Sequence, residues 1–147
     1  GHVRWGETVY SPIVPEGRVD YLIAFEELEA LRHLGQVKST GTILVNQQKI
    51  YPVLVSSGLA EYPSDEEIEK SLKATTKNIF EVPAINLALD VGSSKVLNIV
   101  LIGALSALFD IDPSVWAGVI RERVPAKFTE LNIKAFNAGR NWMKREE

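Results

Sequence analysis

The apolar positions of this chain fall into two patterns, which divide it near Pro83. Before Pro83 they come in short runs, unbroken in Tyr21 to Phe25. Tyr21 to Phe25, Thr42 to Val45 and Asn78 to Val82 are each rich in β-branched or aromatic residues and flanked by polar or turn residues. Such runs read as strands buried on both faces, the pattern of a parallel sheet. Between the first two, Leu28, Leu31 and Leu34 recur at helical spacing and Gly35 follows, which predicts a helix over Glu26–Leu34. A helix between neighbouring parallel strands makes a right-handed crossover. Ser64-Asp65-Glu66-Glu67 is a capping-box pattern. The helix it opens buries little beyond Ile68 and Leu72, and carries Glu66/Lys70 and Glu69/Lys73 at ion-pair spacing on its outer face. Lys49–Val55 is strand-like, but Pro52 restricts it to an edge strand or an extended arm. Near the start, alternation around Val3 and Trp5 predicts a hairpin turning at Gly6-Glu7 into Thr8–Tyr10.

Past Pro83 the spacing is helical. Ala84–Val91 leads through Gly92-Ser93-Ser94 into Lys95–Phe109, whose core from Val96 is apolar on nearly every side. That stretch falls short of the roughly 20 residues a bilayer needs, so it predicts a helix enclosed in a protein core. Asp112-Pro113 marks the next helix start, with Val115, Trp116, Val119 and Ile120 as its apolar face. After Pro125 a final amphipathic helix places Phe128, Leu131, Ala135, Ala138 and Trp142 in one core-facing stripe. The expected fold is an α/β three-layer domain, its mainly parallel sheet flanked by helices, with a helical C-terminal half. At 147 residues, with no repeats or low-complexity linkers, one domain over 1–147 is expected. Opening inside a strand, the chain is also expected to lack residues upstream, through truncation or disorder.

Charge and composition narrow the function. A net charge of −3 leaves no basic excess to neutralise nucleic-acid phosphates. The absence of cysteine removes disulfides, thiolate nucleophiles, thiolate metal sites and iron–sulfur ligation. It also fits a reducing compartment, and with no signal-peptide pattern or membrane span a cytoplasmic protein is expected.

Chemistry-bearing residues are few. His2 and His33 lie on separate elements without ligand spacing, and His33 suits the last turn of its helix, where its partial charge complements the dipole. No catalytic residue and no metal site emerges. A nucleotide-binding α/β fold would place glycines and bare N–H groups after the first strand, whereas Glu26, Glu27 and Glu29 would repel a phosphate there. The diphosphate–magnesium motif of thiamine enzymes is also missing. Ser93, Ser94 and Lys95 at a helix start form a weak anion-site candidate, with plain helix capping the favoured reading. Asn98 opens the most apolar helix, and Asn132, Phe136 and Gly139 run beside the final helix's stripe, where Gly139 would let another backbone come close. These four are either ties within the domain or a surface for a partner chain.

Four segments together carry a resemblance to a known family: Val9–Gly17, Asp20–Arg32, Asn98–Leu105 and Pro125–Gly139. In order and spacing they resemble the γ-type domain of 2-oxoacid:ferredoxin oxidoreductases, most closely its indolepyruvate-type β subunits. The resemblance implies a small subunit supporting coenzyme A-dependent oxidative decarboxylation of an aryl-2-oxoacid, with electrons passed to ferredoxin. It further implies a larger α subunit carrying thiamine diphosphate and iron–sulfur clusters, so that this chain alone binds no cofactor and is inactive. The family's glycine-rich strand–turn–helix upstream of Val3 is not in this sequence. A sheet without that strand exposes an edge that invites pairing, including with a second copy. Two other classes stay open: a stand-alone small-molecule or nucleotide-binding α/β module, and a pure assembly module without ligand contact.

Overall fold

The computed structural model describes residues 1–146. Three parallel strands form one sheet in the order β1-β2-β3: β1 (Val19–Ala24), β2 (Val37–Asn46) and β3 (Asn78–Val82). The helices are, in chain order, α1 (Glu27–His33), α2 (Val53–Ser56), α3 (Asp65–Thr75), α4 (Ala84–Asp90), α5 (Leu97–Ala107), α6 (Pro113–Arg123) and α7 (Ala126–Glu146). The α/β class, the parallel sheet and the helical C-terminal half are therefore as the sequence predicts. The residues cluster into two compact units. One comprises 1–45 and 49–80, the other 46–48 and 81 onward.

In the first unit α1 crosses from β1 to β2, whose partners run from Tyr21–Thr42 to Ala24–Val45. The register shifts between Val19 and Tyr21. Gly41 lies in the shifted stretch, where a Cβ would stand 2.9 Å from the Val19 carbonyl oxygen. Ala24, Ala30, Val37, Ile43, Val45, Ile68 and Leu72 make the core of this unit. The capping box forms as expected: the Glu67 N–H donates to the Ser64 hydroxyl at 3.3 Å, and the Ser64 N–H donates to the Glu67 carboxylate at 2.8 Å.

Three local expectations need correction. Tyr21, Leu22 and Ile23 are half-buried and Phe25 is exposed, because β1 is an edge strand; full burial belongs to the end of the central strand β2, at Ile43–Val45. Lys49–Val55 holds no strand: Pro52 precedes the single-turn helix α2, since proline suits a helix start and cannot donate to a ladder. The predicted N-terminal hairpin is absent too. Residues 1–10 are exposed and irregular, and the Arg4 guanidinium donates to the carbonyls of Ser11 and Ile13 instead.

The second unit is built on α5 and α7. Gly103 and Gly139 sit reciprocally in their contact. A Cβ at Gly139 would stand 1.9 Å from the Val100 carbonyl oxygen, and one at Gly103 would stand 2.1 Å from that of Phe136. Val100, Leu101, Phe136 and Met143 are fully buried in this unit. The core-facing stripe of α7 is Asn132, Ala135, Phe136, Gly139 and Met143, whereas Phe128 is exposed and Leu131 and Trp142 are half-covered. The expected stripe is thus rotated. Closest approach of two helices selects the side bearing glycine, and larger residues settle at its margins. On α6, Ile120 is buried and Trp116 half-buried, while Val115 and Val119 are exposed rather than core-facing. No helix among the described residues is long and apolar enough to cross a membrane.

Candidate functional site

Ligands of open α/β sheets gather at the carboxyl ends of the strands, where helix N-termini offer unpaired N–H groups. At the end of β1 that position is filled from within. Glu26 is the N-cap of α1 and is only 5% exposed. One of its oxygens accepts the Glu29 N–H at 3.1 Å; the other accepts the Tyr62 hydroxyl and the Ile50 N–H at 3.4 Å. Burial, and then the hydrogen bond to Glu26, push the Tyr62 hydroxyl well above the usual phenol range. A carboxylate in this position excludes a phosphate by charge and by occupancy. It also ties down a segment: Ile50 and Tyr62 are both anchored on Glu26, and the Tyr51 ring meets that of Tyr62 edge-on at 5.0 Å. Lys49 pairs with Asp65, which raises its pKa. Between these anchors Ile50–Ala60 carries no charged side chain, and Ile50, Tyr51, Val53, Leu54 and Leu59 are exposed. Lys49–Val55 within this stretch is strand-like in sequence, with an edge strand or an extended arm both compatible with Pro52.

In the second unit the N-terminus of α4 is closed similarly. The Ile85 N–H donates to the Asn46 side-chain oxygen at 3.3 Å, and the Asn46 amide donates to Gln48 at 3.0 Å. Neither turn resembles a diphosphate cradle.

The sequence candidates divide. Ser93 is the N-cap of a three-residue 3-10 turn, its hydroxyl accepting the Lys95 N–H at 3.3 Å, while Ser94 and Lys95 are exposed. That geometry is a helix cap. Asn98 is exposed on the first turn of α5. Asn132 donates to the Phe128 carbonyl at 2.8 Å, a tie within its own helix. Phe136 is 1% exposed and stacks near Trp116, with ring centroids 6.2 Å apart. Gly139 does admit a close backbone, and that backbone is α5 of the same chain. Of the two readings open for Phe136 and Gly139, internal packing is the one these contacts favour. His2 and His33 are exposed, and no group of three or more metal-ligating side chains occurs among the described residues.

Fold and site thus define a parallel α/β chain whose strand-end turns are closed by its own side chains, leaving an exposed apolar strap beside one of them. A model of the pyruvate ferredoxin/flavodoxin oxidoreductase family matches residues 1–142, and the chain belongs to that family. It is 40% identical over 141 residues to the indolepyruvate oxidoreductase subunit IorB of Pyrococcus horikoshii, covering 94% of this chain and 70% of that protein. It is 31% identical over 148 residues to the 2-oxoglutarate synthase subunit KorC of Methanothermobacter thermautotrophicus, covering 93% and 71%. Among solved structures it is similar to a keto/oxoacid ferredoxin oxidoreductase γ subunit from Geobacter sulfurreducens. That likeness has a TM-score of 0.62 at 27% identity and covers 90% of this chain and 69% of the other.

Proposed function

We propose that residues 1–147 act as one small-subunit domain of a 2-oxoacid:ferredoxin oxidoreductase of the indolepyruvate type, working in the cytoplasm against a larger subunit. Identity of up to 40% to IorB subunits supports the substrate class, although the IorB and KorC subunits of Methanothermobacter thermautotrophicus are matched about equally, at 30% and 31%. The closure of the β1–α1 turn by Glu26 carries the division of labour. A chain without cysteine has no thiolate for an iron–sulfur cluster, and a helix start occupied by a carboxylate repels a diphosphate. These residues fit neither cofactor, which supports the larger subunit as the carrier of thiamine diphosphate and the clusters. The small subunit's contribution is to complete the assembly from which electrons pass to ferredoxin. The same closed turns speak against a stand-alone nucleotide-binding module.

The test is reconstitution with the larger subunit encoded with this chain. Oxidation of an aryl-2-oxoacid, dependent on coenzyme A and read by reduction of ferredoxin or a viologen dye, is expected of the complex and not of this chain alone. Turnover by this chain alone, or equal turnover by the larger subunit without it, would refute the reading.

A further inference from the structure

Residues 49–63, between β2 and α3, include no buried residue. Their backbone order is local. The N–H groups of Val55 and Ser56 donate to the Pro52 carbonyl, that of Ser57 to Val53, that of Gly58 to Val55, and those of Leu59 and Ala60 to Leu54. A single turn of this kind does not hold itself in water, because fixing its backbone costs more than its few bonds return. Its order is therefore borrowed from the two ends of the segment. There the Ile50 N–H and the Tyr62 hydroxyl meet on the same oxygen of buried Glu26, and the Tyr62 ring packs against the core of the first unit. The Lys49–Asp65 pair lies at the surface and adds little. Residues 1–10 are equally exposed; what sets 49–63 apart is the buried carboxylate on which both its ends converge.

We infer that residues 49–63 form a lid at the carboxyl end of β1 that opens as one unit without unfolding of the sheet, and that Glu26 is the latch holding it shut. A segment with no buried side chain and with solvent-exposed backbone bonds opens at a smaller free-energy cost than the strands of the same unit. Opening bares one oxygen of the Glu26 carboxylate. The cap on the Glu29 N–H stays in place, because it uses the other oxygen. Whatever then enters beside β1 must offer a hydrogen-bond donor or a cation in place of the two donors withdrawn, and a phosphate stays excluded.

The test is amide hydrogen exchange on the full-length protein. The amides of Ile50 and of residues 55–60 should exchange together, roughly a hundredfold faster than those of fully buried Ile43, Leu44 and Val45 in β2 and Leu72 in α3. Tyr62→Phe keeps the ring and removes only the bond to the latch. It should speed exchange at Ile50 and at residues 55–60 alike by about tenfold, and change that of β2 and Leu72 by less than about twofold. Glu26→Gln, which leaves one acceptor oxygen where two are used, should act in the same direction. Should Glu26→Gln fail to fold, because this residue also caps α1, Tyr62→Phe decides the matter. Exchange of residues 50–60 at the rate of β2, through global unfolding alone, overturns the proposal. So does a Tyr62→Phe protein in which residues 55–60 exchange as in the parent, since the turn then frays independently of the latch. Equal acceleration in the lid, β2 and Leu72 also overturns it, because the hydroxyl then supports the whole unit.

Discussion

Replacing Gly139 with alanine adds one methyl group to the tightest contact in the second unit. An ideal Cβ there lies 1.9 Å from the Val100 carbonyl oxygen, 2.8 Å from the Val100 carbonyl carbon and 3.0 Å from the Ala104 nitrogen. A carbon–oxygen contact settles near ~3.3 Å, so α5 and α7 must separate locally by about 1.4 Å. All three obstructing atoms are backbone, and no rotamer change relieves them. Overpacking where neighbours can yield costs ~1–3 kcal/mol, and here the cost falls at or above the top of that range, because separation also loosens the contacts of Phe136 and Met143. Better helix propensity returns ~1 kcal/mol, leaving a net loss of about 2–3 kcal/mol. Gly118 provides the control. It sits inside α6 with nothing within 4 Å of its added Cβ, so Gly118→Ala should stabilise by about 0.5–1 kcal/mol. Urea unfolding, followed by circular dichroism and by tryptophan fluorescence from Trp116 and Trp142, measures both. A Gly139→Ala protein as stable as the parent, or displaced in the same direction as Gly118→Ala, would refute the close-packing argument.

Three further outcomes are expected. Hydrogen bonds from the Ser64 N–H and hydroxyl lower the Glu67 pKa, and those from Ser114 lower that of Asp112, so both carboxylates favour the folded state above their ordinary pKa values of 4.5 and 3.8 and lose that contribution as pH falls through the depressed ones. Urea midpoints should decline in that acid range, less so in Ser64→Ala, which at neutral pH should itself cost about 1 kcal/mol through loss of the cap. In a spectrophotometric titration Tyr62 should ionise at higher pH than an ordinary tyrosine, and Glu26→Gln should lower that pKa only in part, because burial is the larger cause. Arg140 donates to both the carbonyl and the hydroxyl of fully buried Ser106 near the end of α5, so Arg140→Met should cost about 1.5–3 kcal/mol by urea unfolding.

Local rules were enough for what short stretches of chain decide alone. The β3 bounds, the Ser64 capping box, the Asp112-Pro113 helix start and burial of Ile68 and Leu72 are all legible in the sequence, because each depends on hydrogen bonds or periodicity within a few residues. Family membership was legible too, since four weak segments kept their order. Tertiary structure decided which face of each element is covered. Periodicity pointed α7 inward through Phe128 and Trp142, but the Gly103–Gly139 approach lets two backbones meet and turns Phe136 and Met143 inward instead. Apolar character marked Tyr21–Phe25 as core, yet its place at the edge of the sheet left Tyr21–Ile23 half-buried. The sequence placed acidic residues at the start of α1 and so excluded phosphate. That Glu26 also receives Ile50 and Tyr62, and thereby holds an uncharged strap in place, depends on contacts across 24 and 36 residues, which no local pattern encodes.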